Sequence, residues 1–336
     1  MITVNNYLYV LGTRRSSSEE YRTCYRFSPR TLEWSQLASL INDRSRFGLA
    51  LIQNHIYVFG GFEGFKRSNR VYLNTIERYS IEQDTWEEFS SDGPLMSCMA
   101  STSHENLIYF GGGKNVNWSK VSDFYSINVQ TKEITKKASM LTARTTHQIT
   151  SINGLIYLFG GFDEAGNGVL SIESYDIKND QWSFVTSIPG VVSKTWPQSL
   201  GILNNRFYIS VFTTPNTFKI IQKGYYYDIE TNLWSEGPVI NERARYCPTC
   251  CLAFPKNVYN FSNSFVSVKH SINQKKINCL IFDEKIALEN NNDSNDLSIQ
   301  KELPSPSAEE YEDDDVEEII EEEINYVPNT SSSFLK

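Results

Sequence analysis

One phrase returns along this chain at nearly constant spacing, and no other feature limits its fold as strongly. It reads Tyr7-Leu-Tyr-Val-Leu-Gly12, His55-Ile-Tyr-Val-Phe-Gly60-Gly61, Leu107-Ile-Tyr-Phe-Gly111-Gly112 and Leu155-Ile-Tyr-Leu-Phe-Gly160-Gly161. Degenerate copies follow at Arg206-Phe-Tyr-Ile-Ser210 and Asn257-Val-Tyr-Asn-Phe-Ser262. The first glycine or its stand-in falls at 12, 60, 111, 160, 210 and 262, giving intervals of 48, 51, 49, 50 and 52. A period that steady means one supersecondary unit repeated against copies of itself, so a single irregular core is excluded.

Each phrase is about five β-branched or aromatic residues long and follows a turn pair such as Gln53-Asn54 or Asn153-Gly154, which predicts strand, turn, strand. A second phrase follows each glycine site, an aromatic residue with Trp seven positions on: Phe27 and Trp34, Tyr79 and Trp86, Tyr175 and Trp182, Tyr227 and Trp234. Turn formers lie between the two members, so this is a second hairpin. Unit three keeps only Ile127 and Ile134, and unit six only Ile281 and Leu288. Four short strands per fifty residues, six times over, predict an all-β, six-bladed β-propeller. The Gly doublets mark unusual φ/ψ or close backbone approach, while the Tyr and Trp residues supply apolar area between blades. No segment of the repeats has helical periodicity, which excludes a helix-pair solenoid.

The formal charge of -9 over 336 residues is unevenly placed. Residues 289–336 hold 15 acidic and 2 basic residues, leaving 25 acidic and 29 basic in residues 1–288. The repeats are therefore slightly basic, with no composition that calls for nucleic acid. The first eleven residues lack the features of a secretory signal, and no apolar stretch approaches the ~18 residues of a membrane span. Six cysteines (Cys24, Cys98, Cys247, Cys250, Cys251 and Cys279) without a signal predict reduced thiols and a cytosolic chain, with nucleus or cytoskeleton as alternatives. The Asn117, Asn260, Asn292 and Asn329 sequons then read as chance matches.

The doublet after an apolar strand, the preceding turn, the Tyr and Trp seven apart and the fifty-residue period resemble kelch repeats over residues 1–288, most fully in units two and four. The motif positions are Gly60, Gly61, Gly111, Gly112, Gly160, Gly161, Tyr79, Trp86, Tyr175, Trp182, Tyr227 and Trp234. The expected blades are 1–43, 44–94, 95–143, 144–192, 193–242 and 243–288, followed by a disordered acidic tail at 289–336. The family most often joins such a propeller to BTB and BACK domains that dock a cullin-type ubiquitin ligase. The resemblance thus implies a substrate receptor for a protein or peptide ligand, with a cullin ligase as partner if a BTB domain stands upstream. Since Met1 falls inside what should be an innermost strand, we expect the propeller portion of such an adaptor. The alternative is a stand-alone scaffold for actin or cytoskeletal partners.

Catalysis finds little support. The histidines His55, His104, His147 and His270 are scattered, with no copper or zinc set among them, and no Asp-box turns suggest a sialidase. Cys247-Pro-Thr-Cys250-Cys251 lacks a second ligand pair and reads as small buried thiols. We therefore expect no metal, no cofactor and no enzyme.

Arginines at the junctions between blades carry the binding expectation. Arg44, Arg144 and Arg243 occupy one place in units two, four and six, with Arg46 and Arg245 beside them. Two roles suit that place: a ring of forked donors at a propeller mouth, or bracing of neighbouring blades through backbone carbonyls. In the family that the chain resembles, arginines here and residues after the doublet help hold acidic or turn-shaped peptides. The loops after the doublets add Phe62, Arg67, Lys114, Trp118, Phe162 and Asp163, the aromatic and cationic composition of interface anchors. The tail has 11 acidic residues among the 15 from Glu309 to Glu323, a composition too charged to bury a core and suited to solvation or acidic docking.

Overall fold

The computed structural model describes residues 1–13, 22–64 and 70–189. Beyond these it describes the strands at 195–203, 206–216, 219–241, 249–253, 266–272 and 275–282. All lie in a compact unit spanning Met1–Glu284, and the acidic tail falls outside the described residues.

Five repeats each make one four-stranded antiparallel sheet. Blade one comprises β1 (Ile2–Val4), β2 (Tyr7–Thr13), β3 (Thr23–Ser28) and β4 (Glu33–Leu37). Blade two runs β5 (Gly48–Ile52), β6 (His55–Phe59), then a separate small hairpin of β7 (Phe62–Glu63) and β8 (Val71–Tyr72), then β9 (Ile76–Ser80) and β10 (Thr85–Ser90). Blade three has β11 (Ala100–His104), β12 (Leu107–Gly111), β13 (Phe124–Asn128) and β14 (Ile134–Lys137). Blade four has β15 (Gln148–Ile152), β16 (Leu155–Phe159), β17 (Ser171–Asp176) and β18 (Gln181–Ser187), and blade five β19 (Thr195–Leu203), β20 (Arg206–Asn216), β21 (Lys219–Asp228) and β22 (Leu233–Asn241). The first strands β1, β5, β11 and β15 neighbour one another in succession.

The sixth repeat departs from the expected blade. Its described strands, β23 (Thr249–Ala253), β24 (Val266–Ile272) and β25 (Lys275–Phe282), form three-stranded order β23-β25-β24 with a parallel β23/β25 pair. Among the described residues five repeats therefore form blades of the expected kind, and the sixth does not. This repeat lacks both the doublet and the Tyr/Trp pair, and Ile281 aligns with Leu252 and Val266 instead of with Leu288. The inner-hairpin turn expected at Lys256-Asn257 lies outside the described residues.

Second strands are apolar on consecutive positions because each blade is covered on both faces by its neighbours. Ile56, Tyr57, Val58 and Phe59 are all buried, as are Ile156 to Phe159. Successive blades share a core at each junction. Phe59 of blade two meets Phe110 of blade three at 4.7 Å, Phe124 of blade three meets Tyr175 of blade four at 5.0 Å, and Tyr157 of blade four meets Phe207 of blade five at 5.0 Å.

The seven-residue spacing of the second phrase is a cross-strand register. Tyr79 pairs with Trp86, Tyr175 with Trp182, Tyr227 with Trp234 and Phe27 with Trp34. The turn between each pair holds one residue with positive φ: Leu32, Asp84, Lys132, Asp180 and Asn232 in blades one to five. In blades two and four that residue also clamps the preceding blade. Asp84 Oδ1 accepts from the Tyr79 hydroxyl (2.7 Å) and the Ala38 amide (2.9 Å), while Trp86 Nε1 donates to the Ala38 carbonyl (3.0 Å). Asp180, Tyr175 and Trp182 repeat this on Ala138.

Blade one instead puts Leu32, 59% exposed, at a left-handed φ of 59°. A left-handed residue with a bulky side chain carries a cost of ~1–2 kcal/mol that Asn largely avoids. Leu32→Asn, the residue of blade five, is expected to raise stability by about 0.5–1 kcal/mol in urea unfolding. An unchanged or lower midpoint would show that the turn is relaxed as it stands.

Candidate functional site

The doublets position everything at the blade junctions. Gly60 and Gly61 have φ of 62° and 79°, and Gly160 and Gly161 have 70° and 84°. In blade three the matching pair is Gly112 (65°) and Gly113 (82°), one residue later than the expected Gly111-Gly112. Gly111 lies inside β12 opposite Ala100, the place that Phe59 takes opposite Gly48. The left-handed turn aims the second glycine's amide at the next blade: Gly61 donates to the Met96 carbonyl and Gly113 to that of Arg144, both at 2.7 Å. A β-carbon on Gly61 or Gly113 would overlap the carbonyl of Ser45 or Ser97.

These contacts align three junctions residue by residue: Arg44-Ser45-Arg46-Phe47, Met96-Ser97-Cys98-Met99 and Arg144-Thr145-Thr146-His147. Arg46, Cys98 and Thr146 share a positive φ. They are chained by backbone hydrogen bonds, Cys98 N–H to the Arg46 carbonyl (2.8 Å) and Thr146 N–H to the Cys98 carbonyl (3.3 Å). Ser45, Ser97 and Thr145 bridge to the first loop residue after each doublet, Phe62, Lys114 and Phe162.

Arg44 and Arg144, expected among the ligand-binding residues, are 0% exposed and turn into their own blades. Arg44 donates to the carbonyls of Gly60 (3.2 Å) and Thr75 (3.1 Å), to Thr75 Oγ1 (2.8 Å) and to Glu77 Oε1 (2.6 Å). Glu77, also fully buried, accepts from the Ile41 and Asn42 amides at 2.8 and 3.0 Å. Arg144 repeats the set with Gly160, Ser171 and Glu173. Burial pushes both guanidinium groups below the usual arginine range, and their glutamates oppose that. These two arginines brace the junction, the second of the roles open to them. Arg243, Arg245 and Arg67 lie outside the described residues.

Four other expected residues do come together. The Trp118 ring has Arg70 Cζ at 4.6 Å, Lys114 Nζ at 4.8 Å and Arg46 Cζ at 5.9 Å. Phe62 lies 6.1 Å from Trp118 and carries Arg70 at 4.8 Å and Arg46 at 5.9 Å. Tyr72 closes the cluster 5.8 Å from Phe62, its hydroxyl donating to the Asn115 carbonyl at 2.9 Å and so tying the loop of blade two to that of blade three. Burial raises the Tyr72 phenol's pKa, against the pull of the Ser97 hydroxyl, Arg70 and Arg46. Cation–aromatic stacking holds the three cations against the ring. Val71 and Val116, 54% and 48% exposed, flank the patch.

Phe162 and Asp163 sit one loop further on. Asp163 Oδ1 accepts from the Asn167 amide (2.8 Å) and its carbonyl from Lys120 Nζ (2.6 Å), so its polar groups hold loops together. Among the described residues no three His, Cys, Asp or Glu side chains are grouped to hold a metal, and no helix is long and apolar enough to cross a membrane.

The sequence pattern of the KLHDC2/KLHL20/DRC7 Kelch-repeats domain matches residues 1–140 and, overlapping, 68–262. The chain belongs to the kelch-repeat family. Kelch-like protein 36 of Mus musculus is 26% identical over 220 residues, covering 64% of this chain and 35% of that protein. Kelch-like protein 15 of Danio rerio is 24% identical over 292 residues, covering 76% and 45%. Beta-scruin of Limulus polyphemus is 24% identical over 180 residues, covering 46% and 19%. The chain thus spans less than half the length of these relatives. A solved structure titled "Structure of YjhT" superposes with a TM-score of 0.59 at 14% identity, covering 73% of this chain and 84% of that one, which shows the fold alone.

As a kelch propeller, the chain is a protein-interaction module. Within that frame Arg70 and Tyr72 are the residues that sequence reasoning missed. Their signal was loop length, since the bridged span is Phe62 to Tyr72 in blade two but only Lys114 to Lys120 and Phe162 to Gly168 in blades three and four. The longer loop reaches across the junction, and long loops on a rigid scaffold are where binding concentrates.

Proposed function

We propose that the chain is the substrate-recognition propeller of a cullin-type ubiquitin ligase adaptor, acting in the cytosol, and that it holds its partner protein at the Arg46, Arg70 and Lys114 patch. One observation carries the site. Three cations ring a single indole between two exposed valines, joining the charge and the apolar area that an interface anchor needs. The similarity to kelch-like proteins supports the adaptor role.

Proximity labelling with the full chain tests both parts. Wild type is expected to enrich a client protein together with cullin components, and the Arg46→Thr, Arg70→Gln, Lys114→Gln variant to lose the client. Each replaced residue is half-buried, so thermal stability should hold. Arg46→Thr also installs the residue that blade four uses at the same φ. Client retention by the variant would overturn the site, and a catch of cytoskeletal proteins without a cullin would overturn the adaptor reading.

A further inference from the structure

We infer that β18, the outermost strand of blade four, is a self-association edge at which two copies of this chain pair β18 with β18, antiparallel across a two-fold axis. Each outermost strand ends its sheet: among the described residues β4, β10, β14, β18 and β22 have a strand partner on one side only. Such a row of open backbone N–H and C=O groups is a template for another strand, and folded proteins blunt it with charge, proline or a bulge.

Four of the five edges carry charge. β4 has Glu33, β10 has Glu87 and Glu88, β14 has Lys136 and Lys137, and β22 has Glu236 followed by Pro238. β18 reads Gln181-Trp-Ser-Phe-Val-Thr-Ser187, with no charge, no proline and no glycine over seven residues. Two positions past the Trp, blades one, two and five place Gln36, Glu88 and Glu236, and blade three places Lys136 two past Ile134. Blade four places Phe184 there, 61% exposed, so a phenyl group stands in water where the other blades are polar. The register slip between Ile172 and Glu173 sets Val185 aside, yet Gln181 to Phe184 keep regular partners from Asp176 to Glu173. Neighbouring blades hold the strand in place, since Trp182 Nε1 donates to the Ala138 carbonyl (2.9 Å) and Trp234 Nε1 to Thr186 Oγ1 (3.2 Å).

Symmetry selects the occupant. In a two-fold antiparallel pair each strand meets its own sequence reversed, so a charge near the axis meets its like. Self-pairing of β10 would set Glu87 and Glu88 against the same glutamates, and self-pairing of β14 would set two lysines against two lysines. β18 meets no such repulsion. A charged foreign strand would call for an edge of opposite charge, which β18 does not offer. A second copy supplies both the neutral strand and a second Phe184 to cover exposed area. One short ladder with two phenyl rings makes a contact below the ~1,200 Å² of a standard interface, so the dimer is weak and depends on concentration.

Sedimentation velocity of the full chain at about 1 to 300 μM tests this, and wild type is expected to pass from monomer toward dimer across that range. Phe184→Glu should raise the dimer dissociation constant about ten-fold or more. That substitution copies blade two, where Glu88 stands opposite Glu77 as Phe184 does opposite Glu173, so the urea midpoint should stay near that of wild type. Hydrogen exchange then locates the contact: amides of residues 181–187 should gain protection with concentration in wild type and not in Phe184→Glu. A chain that stays monomeric throughout, or a dimer indifferent to Phe184→Glu, would overturn the inference. A dimer weakened by the substitution without added protection of β18 would overturn strand pairing. Protection gained only when a client protein is added would give the edge to a foreign strand and overturn self-association.

Discussion

Arg44→Met is expected to cost about 3–5 kcal/mol of folding stability, read as a lowered urea midpoint. The guanidinium and the Glu77 carboxylate are both fully buried, so removing the arginine strands a charge that cannot reach water. Adding Glu77→Gln to that variant should recover roughly 1–3 kcal/mol, because the stranded charge goes while an oxygen remains for the Ile41 and Asn42 amides. Blade three shows that the place accepts an apolar solution, with Met96 at the arginine position and Tyr125 at the glutamate position. There Gly93 donates to the Asn74 carbonyl at 2.8 Å as Leu40 does to that of Arg22, and the residue in the place of Ile41 is Pro94, which has no amide N–H to satisfy. A cost below about 1 kcal/mol for Arg44→Met would mean that the pair contributes specificity and not stability.

This result also separates bracing from binding. Neither Arg44 nor Glu77 touches Trp118, so partner capture should survive in Arg44→Met at temperatures where it remains folded. The Arg46, Arg70 and Lys114 substitutions should show the reverse pattern.

The buried pair was written in the sequence, though not where motif reading looks for it. Units two and four carry both the junction arginine and an Ile-Glu-x-Tyr run, Ile76-Glu77-Arg78-Tyr79 and Ile172-Glu173-Ser174-Tyr175. Unit three lacks both. That paired presence is a contact signal inside one chain, but its partners lie 33 residues apart and meet only when the third strand folds back. The Tyr/Trp spacing was easier to read, because a hairpin makes its partners local. The glycine run at Gly111 to Gly113 could not be framed from sequence, since three identical residues hide which two take the turn. Only the pairing of Gly111 with Ala100 and Phe124 settles it. In the sixth repeat the period persists in sequence while the doublet and the Tyr/Trp pair are missing, and its described strands pair in a different order from those of the other five repeats.

His147 carries the second large effect, and its sign follows from where the ring lies. It takes the place that Met99 takes one junction earlier and Phe47 two junctions earlier, packed so closely on Gly112 that a β-carbon there would overlap the imidazole. Burial holds its pKa down to about 3, Arg144 adds to that, and the Gly111 carbonyl opposes without offsetting it. Above pH ~6.5 the ring is neutral in both folded and unfolded chains and costs nothing. As pH falls from 6.5 toward 3, the unfolded chain takes up a proton that the folded one refuses, so stability is lost across that window. At pH 5 the loss from this one residue is about 2 kcal/mol relative to pH 7.5. His147→Phe should therefore match wild type near pH 7.5 within the error of a packing change and exceed it by about 2 kcal/mol at pH 5. Urea unfolding at the two pH values checks this, and parallel losses in both proteins would show that the ring is protonated in place. Above pH 5 the depressed aspartates Asp176 and Asp180 are still ionised, so they leave this window to the histidine. An acid-sensitive junction then traces to one imidazole at a place that carries a thioether in Met99 and a phenyl ring in Phe47.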